Sequence, residues 1–130
     1  MAATTRMRAE IAEIPEAIAR LVDGAPTEAL ASAAEALRRS DPAAILTIGR
    51  GSSDHAATYL KYAIEITAGR PVGSIGPSVA SVFGAQLRVD GMAALAISQS
   101  GTSADIVALA GALRQAGADV FALTNSVASP

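Results

Sequence analysis

The residues best suited to chemistry form a cluster of small polar side chains between positions 98 and 103. In order they are Ser98-Gln99-Ser100-Gly101-Thr102-Ser103. An apolar run, Met92 to Ile97, precedes them and an alanine- and leucine-rich segment follows, which predicts a strand, a tight loop and a helix. The first N–H groups of a helix lack intrahelical acceptors and lie at the positive end of the helix dipole. A loop of hydroxyl groups at that point can hold an anion, most often a phosphate.

The same hydroxyl groups have a second interpretation. Serine is a common N-cap residue, and either Ser100 or Ser103 would serve as a cap for the helix that follows. Four hydroxyl groups around one glycine are more than capping alone requires. On the residues alone, an anion site and a simple cap both stay open.

A second polar loop follows the apolar run Ala44 to Ile48. It reads Gly49-Arg50-Gly51-Ser52-Ser53-Asp54. This differs from a dinucleotide-binding fingerprint, because Asp54 replaces the third glycine and no acidic residue ends the next strand at Ser74-Ile75. The glycines can instead bring backbone amides close to a small ligand, and Ser52 and Ser53 add hydroxyl groups beside them.

Acid–base chemistry has one weak candidate in this second loop. His55 is the side-chain type suited to proton transfer near neutral pH, although a surface or packing histidine is the alternative interpretation. Asp54 and His55 do not make a triad with the serines, because neighbours on one helical turn point in different directions. Arg50 could pair with an anionic substrate or remain a solvated loop residue.

The composition limits the classes of protein and ligand. Aromatic residues are only 3% of the chain, so the core must consist of Ala, Val, Ile and Leu, which suits helices packed on a parallel sheet. The net charge of −2 comes without a basic cluster, which argues against a nucleic-acid surface. With no cysteine and one histidine, we expect no metal site. We also expect no cofactor. No apolar run has the length of a membrane span and no signal-peptide pattern is present, so the prediction is a cytoplasmic protein.

The first 40 residues predict two amphipathic helices and form the first predicted domain. The helices span Met7 to Val22 and about Glu28 to Arg39, after a disordered start at Met1 to Thr5. Pro15 lies inside the first helix and predicts a kink or break at Glu13–Ile14. The segment Asp23 to Thr27 is expected to end the first helix and to lead into the second, with Gly24 as the residue just beyond the first helix.

Residues 41–130 alternate strands and helices and form the second predicted domain. The predicted strands are Ala44–Ile48, Pro71–Ile75, Gly91–Ile97 and Asp119–Leu123. The predicted helices are Asp54–Ala68 with Ser52 or Ser53 as N-cap, Val79–Phe83 and Ser103–Ala116. This alternation predicts an α/β fold with a parallel sheet and right-handed crossovers. The loop from Thr124 to Pro130 has no closing element, so we expect a domain that lacks its last strand.

With both loops in view, the chain resembles the sugar isomerase (SIS) phosphosugar-binding family. Gly51-Ser52-Ser53 matches that family's Gly-Thr/Ser-Ser loop, and the residues Ser98 to Asp105 match its Ser-Gln-Ser-Gly-x-Thr/Ser-x-Asp loop. The residues Met7 to Pro15 are similar to the segment ahead of the first SIS domain of glutamine–fructose-6-phosphate aminotransferases. Related glucosamine-6-phosphate deaminase-like proteins carry the same segment.

The resemblance implies a fold, a ligand and a site. The implied fold is a three-layer, doubly wound, flavodoxin-like sandwich with five parallel strands. The implied ligand is a hexose 6-phosphate or an amino-sugar phosphate, such as fructose-6-phosphate or glucosamine-6-phosphate. The implied ligand-binding residues are Ser52, Ser53, Ser98, Gln99, Ser100 and Ser103, supported by the backbone of Gly51, Gly101 and Thr102.

The resemblance also implies what this chain does not supply. Family enzymes carry their acid–base glutamate, lysine and histidine mainly in a second SIS domain, and His55 does not match that histidine. No amidotransferase domain with its cysteine nucleophile is present. We therefore expect the substrate-binding half of an isomerase, aminotransferase or deaminase that forms a homodimer with two SIS domains per chain. The alternative is a non-catalytic phosphosugar sensor attached to a regulator.

Overall fold

The N-terminal part of the chain consists of two helices. The computed structural model describes residues 5–24, 27–126 and 128–130. The chain divides into two compact units, Met1–Ser32 and Ala33–Pro130. Helix α1 spans Arg6–Gly24 and helix α2 spans Thr27–Ser40. The predicted disordered start, apart from Thr5, and the middle of the predicted turn at Ala25-Pro26 lie outside the described residues.

Helix α1 corrects two local predictions. It runs without interruption through Pro15, so a break into two helices at Glu13–Ile14 is wrong, while the alternative of a kink there stays a prediction. A proline removes one backbone hydrogen bond, but the turns on either side keep theirs, and an ion pair of 2.6 Å between Arg20 Nη2 and Glu13 Oε1 spans the proline. Gly24 is the last residue of α1 and does not lie beyond it.

The second unit is built on a four-stranded parallel sheet. Its strands are β1 (Ile45–Ile48), β2 (Val72–Ser74), β3 (Ala93–Ile97) and β4 (Asp119–Leu123), in the order β2-β1-β3-β4. In the register, Ile45 lies opposite both Val72 and Ala93, and Ala93 lies opposite Asp119. The predicted α/β class with a parallel sheet flanked by helices is confirmed.

Three helices connect these strands. They are α3 (Ser52–Ala68), α4 (Ser78–Ser81) and α5 (Ala104–Gln115). The predicted N-cap of α3 is wrong, because Gly51 occupies that position with φ of 56° and both serines belong to the first turn. Glycine adopts a positive φ without the steric cost that a Cβ would add. The helix therefore begins two residues earlier than the hydroxyl pattern predicts.

The helices cover both faces of the sheet and make it the middle of three layers. On one face, buried Ala94 and Ala96 pack with Leu109 and Leu113 of α5. The other face carries a second cluster of buried apolar side chains, packed against partly buried side chains of α2 and α3. Its buried members are Ile45, Val72, Ala93 and Leu95, and the packed side chains include Leu37, Leu60 and Ile64. Adjacent residues of one strand thus contribute to opposite layers, as the period of two in a strand requires.

The strand order places a crevice between the ends of β1 and β3. From β1 the chain crosses to β2 on one side, and then returns to add β3 and β4 on the other side. At such a reversal the loops after the two central strands diverge, and ligands of open α/β sheets bind between them. The two polar loops identified from the sequence are the loops at this reversal.

Candidate functional site

The loop after β1 is a tight turn that presents two serines at the start of α3. Gly49 is required there, because a Cβ at this position would lie 3.0 Å from the backbone N of Asp54. The turn is closed by the N–H of Ser53, which donates to Arg50 O at 3.1 Å. Ser52 is exposed and Ser53 is half-buried, so both belong to the surface of the turn.

The loop after β3 is held in shape by its own hydroxyl groups. Ser98 is buried, its N–H donates to Leu123 O at 3.0 Å, and its Oγ accepts the N–H of Gly101 at 3.2 Å. The Oγ of Ser100 accepts the N–H of Thr102 at 3.3 Å and lies 3.1 Å from Thr102 Oγ1. The loop therefore stays compact without a charged side chain among residues 98–103.

Ser103 lies at the N-cap position of α5, but its side chain makes no capping hydrogen bond. Its carbonyl oxygen accepts the N–H of Val107 at 2.9 Å, which begins the helix. Within the described part of the chain, no acceptor is found for the N–H groups of Ala104 and Asp105. Ser103 therefore holds the predicted N-cap position without the capping hydrogen bond of its side chain, and the positive end of α5 keeps donors that no described residue accepts.

A third loop, after β4, supports the serine loop from the far side. The N–H of Asn125 donates to Gln99 O at 3.2 Å. A Cβ added to Gly101, whose φ is +66°, would lie 2.4 Å from Ser129 Cβ and 2.8 Å from Thr124 Oγ1. Thr124 and Ser129 are not among the site residues predicted from the sequence. The signal for them was a polar loop after the fourth strand.

An ion pair joins the first two loops. Arg50 Nη1 lies 2.7 Å from Asp105 Oδ2, across 55 positions of the sequence. The two residues border an open cleft of about 690 Å³. Its lining also includes Pro77, Ser78, Ser81, Val82, Ser103 and Ala104. A separate pocket of about 660 Å³ lies between the α4–β3 connection and α5, and none of the predicted ligand-binding serines lines this pocket.

The acid–base candidate His55 lies at the surface and not among the serines of the loop after β3. His55 is exposed on the first turn of α3, where its N–H donates to Gly51 O at 3.4 Å.

Across residues 5–24, 27–126 and 128–130, no three His, Asp or Glu side chains are grouped in a way that could hold a metal ion. Over the same residues, each helix is either too short or too polar to cross a bilayer.

Several solved structures have a fold similar to that of this chain. The chain is 54% identical to a candidate phosphosugar isomerase from Silicibacter pomeroyi DSS-3, with a TM-score of 0.85 over 97% of this chain and 38% of that one. It is 26% identical to the C-terminal domain of glucosamine-fructose-6-phosphate aminotransferase from Francisella tularensis, with a TM-score of 0.79 over 98% of this chain and 36% of that one. Tagatose-6-phosphate ketose/aldose isomerase from Escherichia coli shares the fold at 20% identity, with a TM-score of 0.75 over 96% of this chain and 36% of that one.

These three structures are all much longer than the present chain, which spans little more than a third of each. A search of curated proteins found no match. The family model described as the SIS domain matches residues 37–130, which contain the sheet, both serine loops and α5. The chain therefore belongs to the SIS domain family.

Proposed function

We propose that this domain binds the phosphate group of a hexose 6-phosphate or an amino-sugar phosphate between its two serine loops. The observation that carries the proposal is the start of α5, where the Ser103 hydroxyl makes no capping bond and two N–H groups find no acceptor among the residues that the structure describes. An anion at this point would accept hydrogen bonds from these donors and would be stabilised by the helix dipole. Fructose-6-phosphate and glucosamine-6-phosphate are the ligands we favour.

The hydrogen bonds inside the loop support this assignment. A serine hydroxyl has one donor and two acceptor positions. Ser98 Oγ already accepts the N–H of Gly101, and Ser100 Oγ accepts both the N–H and the hydroxyl of Thr102, so each serine keeps its own hydroxyl proton to donate elsewhere. A phosphate oxygen is a strong acceptor for such a proton. Ser52, Ser53 and Gln99 complete the set of ligand-binding residues that we propose.

For the whole protein, we propose a sugar-phosphate isomerase, aminotransferase or deaminase. The 54% identity to a candidate phosphosugar isomerase and the similarity to an aminotransferase domain support this choice. The homodimer, the second SIS domain and the acid–base residues within it stay predictions. A regulatory phosphosugar sensor would bind the same ligands, and isomerase, transaminase and deaminase assays of the full-length protein distinguish the two.

Substitution of Ser103 by alanine tests the phosphate site. Because the Ser103 side chain makes no capping bond, Ser103→Ala should leave folding intact and remove one hydrogen bond to a charged ligand. Such a bond contributes about 1.5–3 kcal/mol, so the affinity should fall roughly 10- to 150-fold. Calorimetric titration with fructose-6-phosphate and glucosamine-6-phosphate measures this change, and fructose and glucosamine serve as ligands without phosphate.

Ser40→Ala is the matched control. Ser40 ends α2, its Oγ donates to Leu37 O at 3.0 Å, and it precedes β1 at the amino end of the sheet. We expect this variant to bind the phosphosugars as the wild type does. Unchanged affinity in Ser103→Ala, or equal binding of sugars with and without phosphate, would contradict the assignment.

A further inference from the structure

We propose that the ion pair between Arg50 and Asp105 is a bridge that positions the two serine loops relative to each other for phosphosugar binding. The inference rests on the proposed function, because the bridged loops are the ones that we assign to the phosphate. Neither residue belongs to the set of ligand-binding residues. Both act through the serines that they position.

The geometry supports a positioning role. Arg50 immediately precedes Gly51-Ser52-Ser53, and its carbonyl oxygen accepts the N–H of Ser53 at 3.1 Å. Its guanidinium therefore extends from the turn that presents the first pair of serines. At the other end of the bridge, Asp105 lies in the first turn of α5, two residues after Ser103.

The carboxylate of Asp105 is held at both oxygens. Oδ2 accepts from Arg50 Nη1 at 2.7 Å, and Oδ1 accepts the N–H of Ile106, the next residue, at 3.0 Å. Ile106 is buried in the core on the α5 face of the sheet. The carboxylate is thus fixed to a rigid part of the helix, and movement of the β1 loop away from α5 would break the bridge.

Charge gives the bridge a second effect on the same site. A free carboxylate two residues after Ser103 would repel a phosphate at the start of α5. The paired guanidinium offsets that negative charge. Because the Arg50 side chain is 65% exposed, the pair should add little to the overall stability, so its effect should be seen in binding.

The test compares Arg50→Ala, Asp105→Asn and the double variant in calorimetric titrations with fructose-6-phosphate and glucosamine-6-phosphate. Arg50→Ala should bind about three- to fivefold more weakly, the size expected for one exposed ion pair. Asp105→Asn should also bind more weakly than the wild type, but by less, because it breaks the bridge without leaving a free carboxylate beside the phosphate. The double variant should lose no more affinity than the single variant that binds most weakly, because both substitutions break the same bridge. Arg50→Lys should recover part of the affinity, because the charge remains while the planar fork is lost.

Hydrogen exchange of the ligand-free protein gives a second, independent readout. Both single variants should increase amide exchange in residues 49–53 and 98–105, while the amides of β3 stay protected. If the wild type bound no phosphosugar, the proposed function would be wrong, whereas the exchange comparison would still test the bridge. Thermal unfolding midpoints of the variants should remain close to that of the wild type.

Arg70→Ala is the matched control. Arg70 pairs with Asp41, and both residues lie before strands, at the amino end of the sheet. This variant also removes one arginine, here half-buried, from an ion pair that joins two segments, and it should leave binding unchanged. Stronger or unchanged binding in Asp105→Asn together with weaker binding in Arg50→Ala would show that Arg50 contacts the phosphate directly. That result, or affinities within the experimental error of the wild type in all variants, would overturn the bridge.

Discussion

Substitution of Gly101 by alanine probes the contact between the serine loop and the loop after β4. The backbone of Gly101 has φ of +66°, a conformation that costs an L-residue about 1–2 kcal/mol. The added Cβ would also lie 2.4 Å from Ser129 Cβ and 2.8 Å from Thr124 Oγ1. Relief of such a clash by local shifts costs about 1–3 kcal/mol. The free energy of unfolding should therefore fall by about 2–5 kcal/mol in total.

Gly69→Ala isolates the backbone part of this cost. Gly69 is the C-cap residue just after α3, with φ of 64°, nearly the same as that of Gly101, and a Cβ there would meet no heavy atom within 4 Å. Gly69→Ala should lose only the backbone cost of about 1–2 kcal/mol. Urea unfolding followed by circular dichroism gives both free-energy changes, and their difference measures the contact between the loops.

A second substitution identifies the atoms responsible. Ser129→Gly removes the Cβ that a new side chain at Gly101 would meet, so Gly101→Ala should cost less in the Ser129→Gly background than in the wild type. The contact with Thr124 Oγ1 remains, so recovery should be partial. If Gly101→Ala proved no more destabilising than Gly69→Ala, the proposed packing of Ser129 against the serine loop would be refuted.

Two further predictions concern α5. Leu109 is fully buried between α5 and the sheet, so Leu109→Ala should lower the free energy of unfolding by about 2–5 kcal/mol through lost apolar contacts and a cavity. A loss below about 1 kcal/mol in urea unfolding would argue against this core. Gly111 lies exposed inside the same helix with open space around its missing Cβ, so Gly111→Ala should stabilise the protein by about 0.5–1 kcal/mol. A lower thermal midpoint for this variant would contradict the helix assignment.

Local sequence patterns were sufficient to predict most elements of the second unit. Strand β4 has the predicted bounds, and β1, β2 and β3 lie inside the predicted ranges. These predictions succeed because short apolar runs and the glycine-containing turns between them determine the local backbone structure within a few residues. The errors are also local. Pro15 does not break α1, and Gly51 rather than a serine caps α3, since neighbouring turns and a positive φ outweighed the usual residue preferences.

The candidate site, too, was predictable from the sequence only in part. The sequence by itself determined which side chains could bind a phosphate, because the hydroxyl groups of both loops follow directly from residue type and from their position between a strand and a helix. Whether these side chains bind a phosphosugar stays a prediction. The Met7 to Pro15 likeness to the aminotransferase segment also stays a prediction, while membership of the SIS family is confirmed.

Only the tertiary structure decided how the loops meet. The order β2-β1-β3-β4 places the two serine loops on neighbouring strands, although about 45 positions separate them in the chain. The Arg50–Asp105 bridge and the approach of Ser129 to Gly101 are likewise contacts between distant positions. Such contacts depend on strand order and on packing across the sheet, which local propensities do not encode. The serine loops were therefore identifiable from residue types alone, whereas their pairing and the bridge between them required the folded chain.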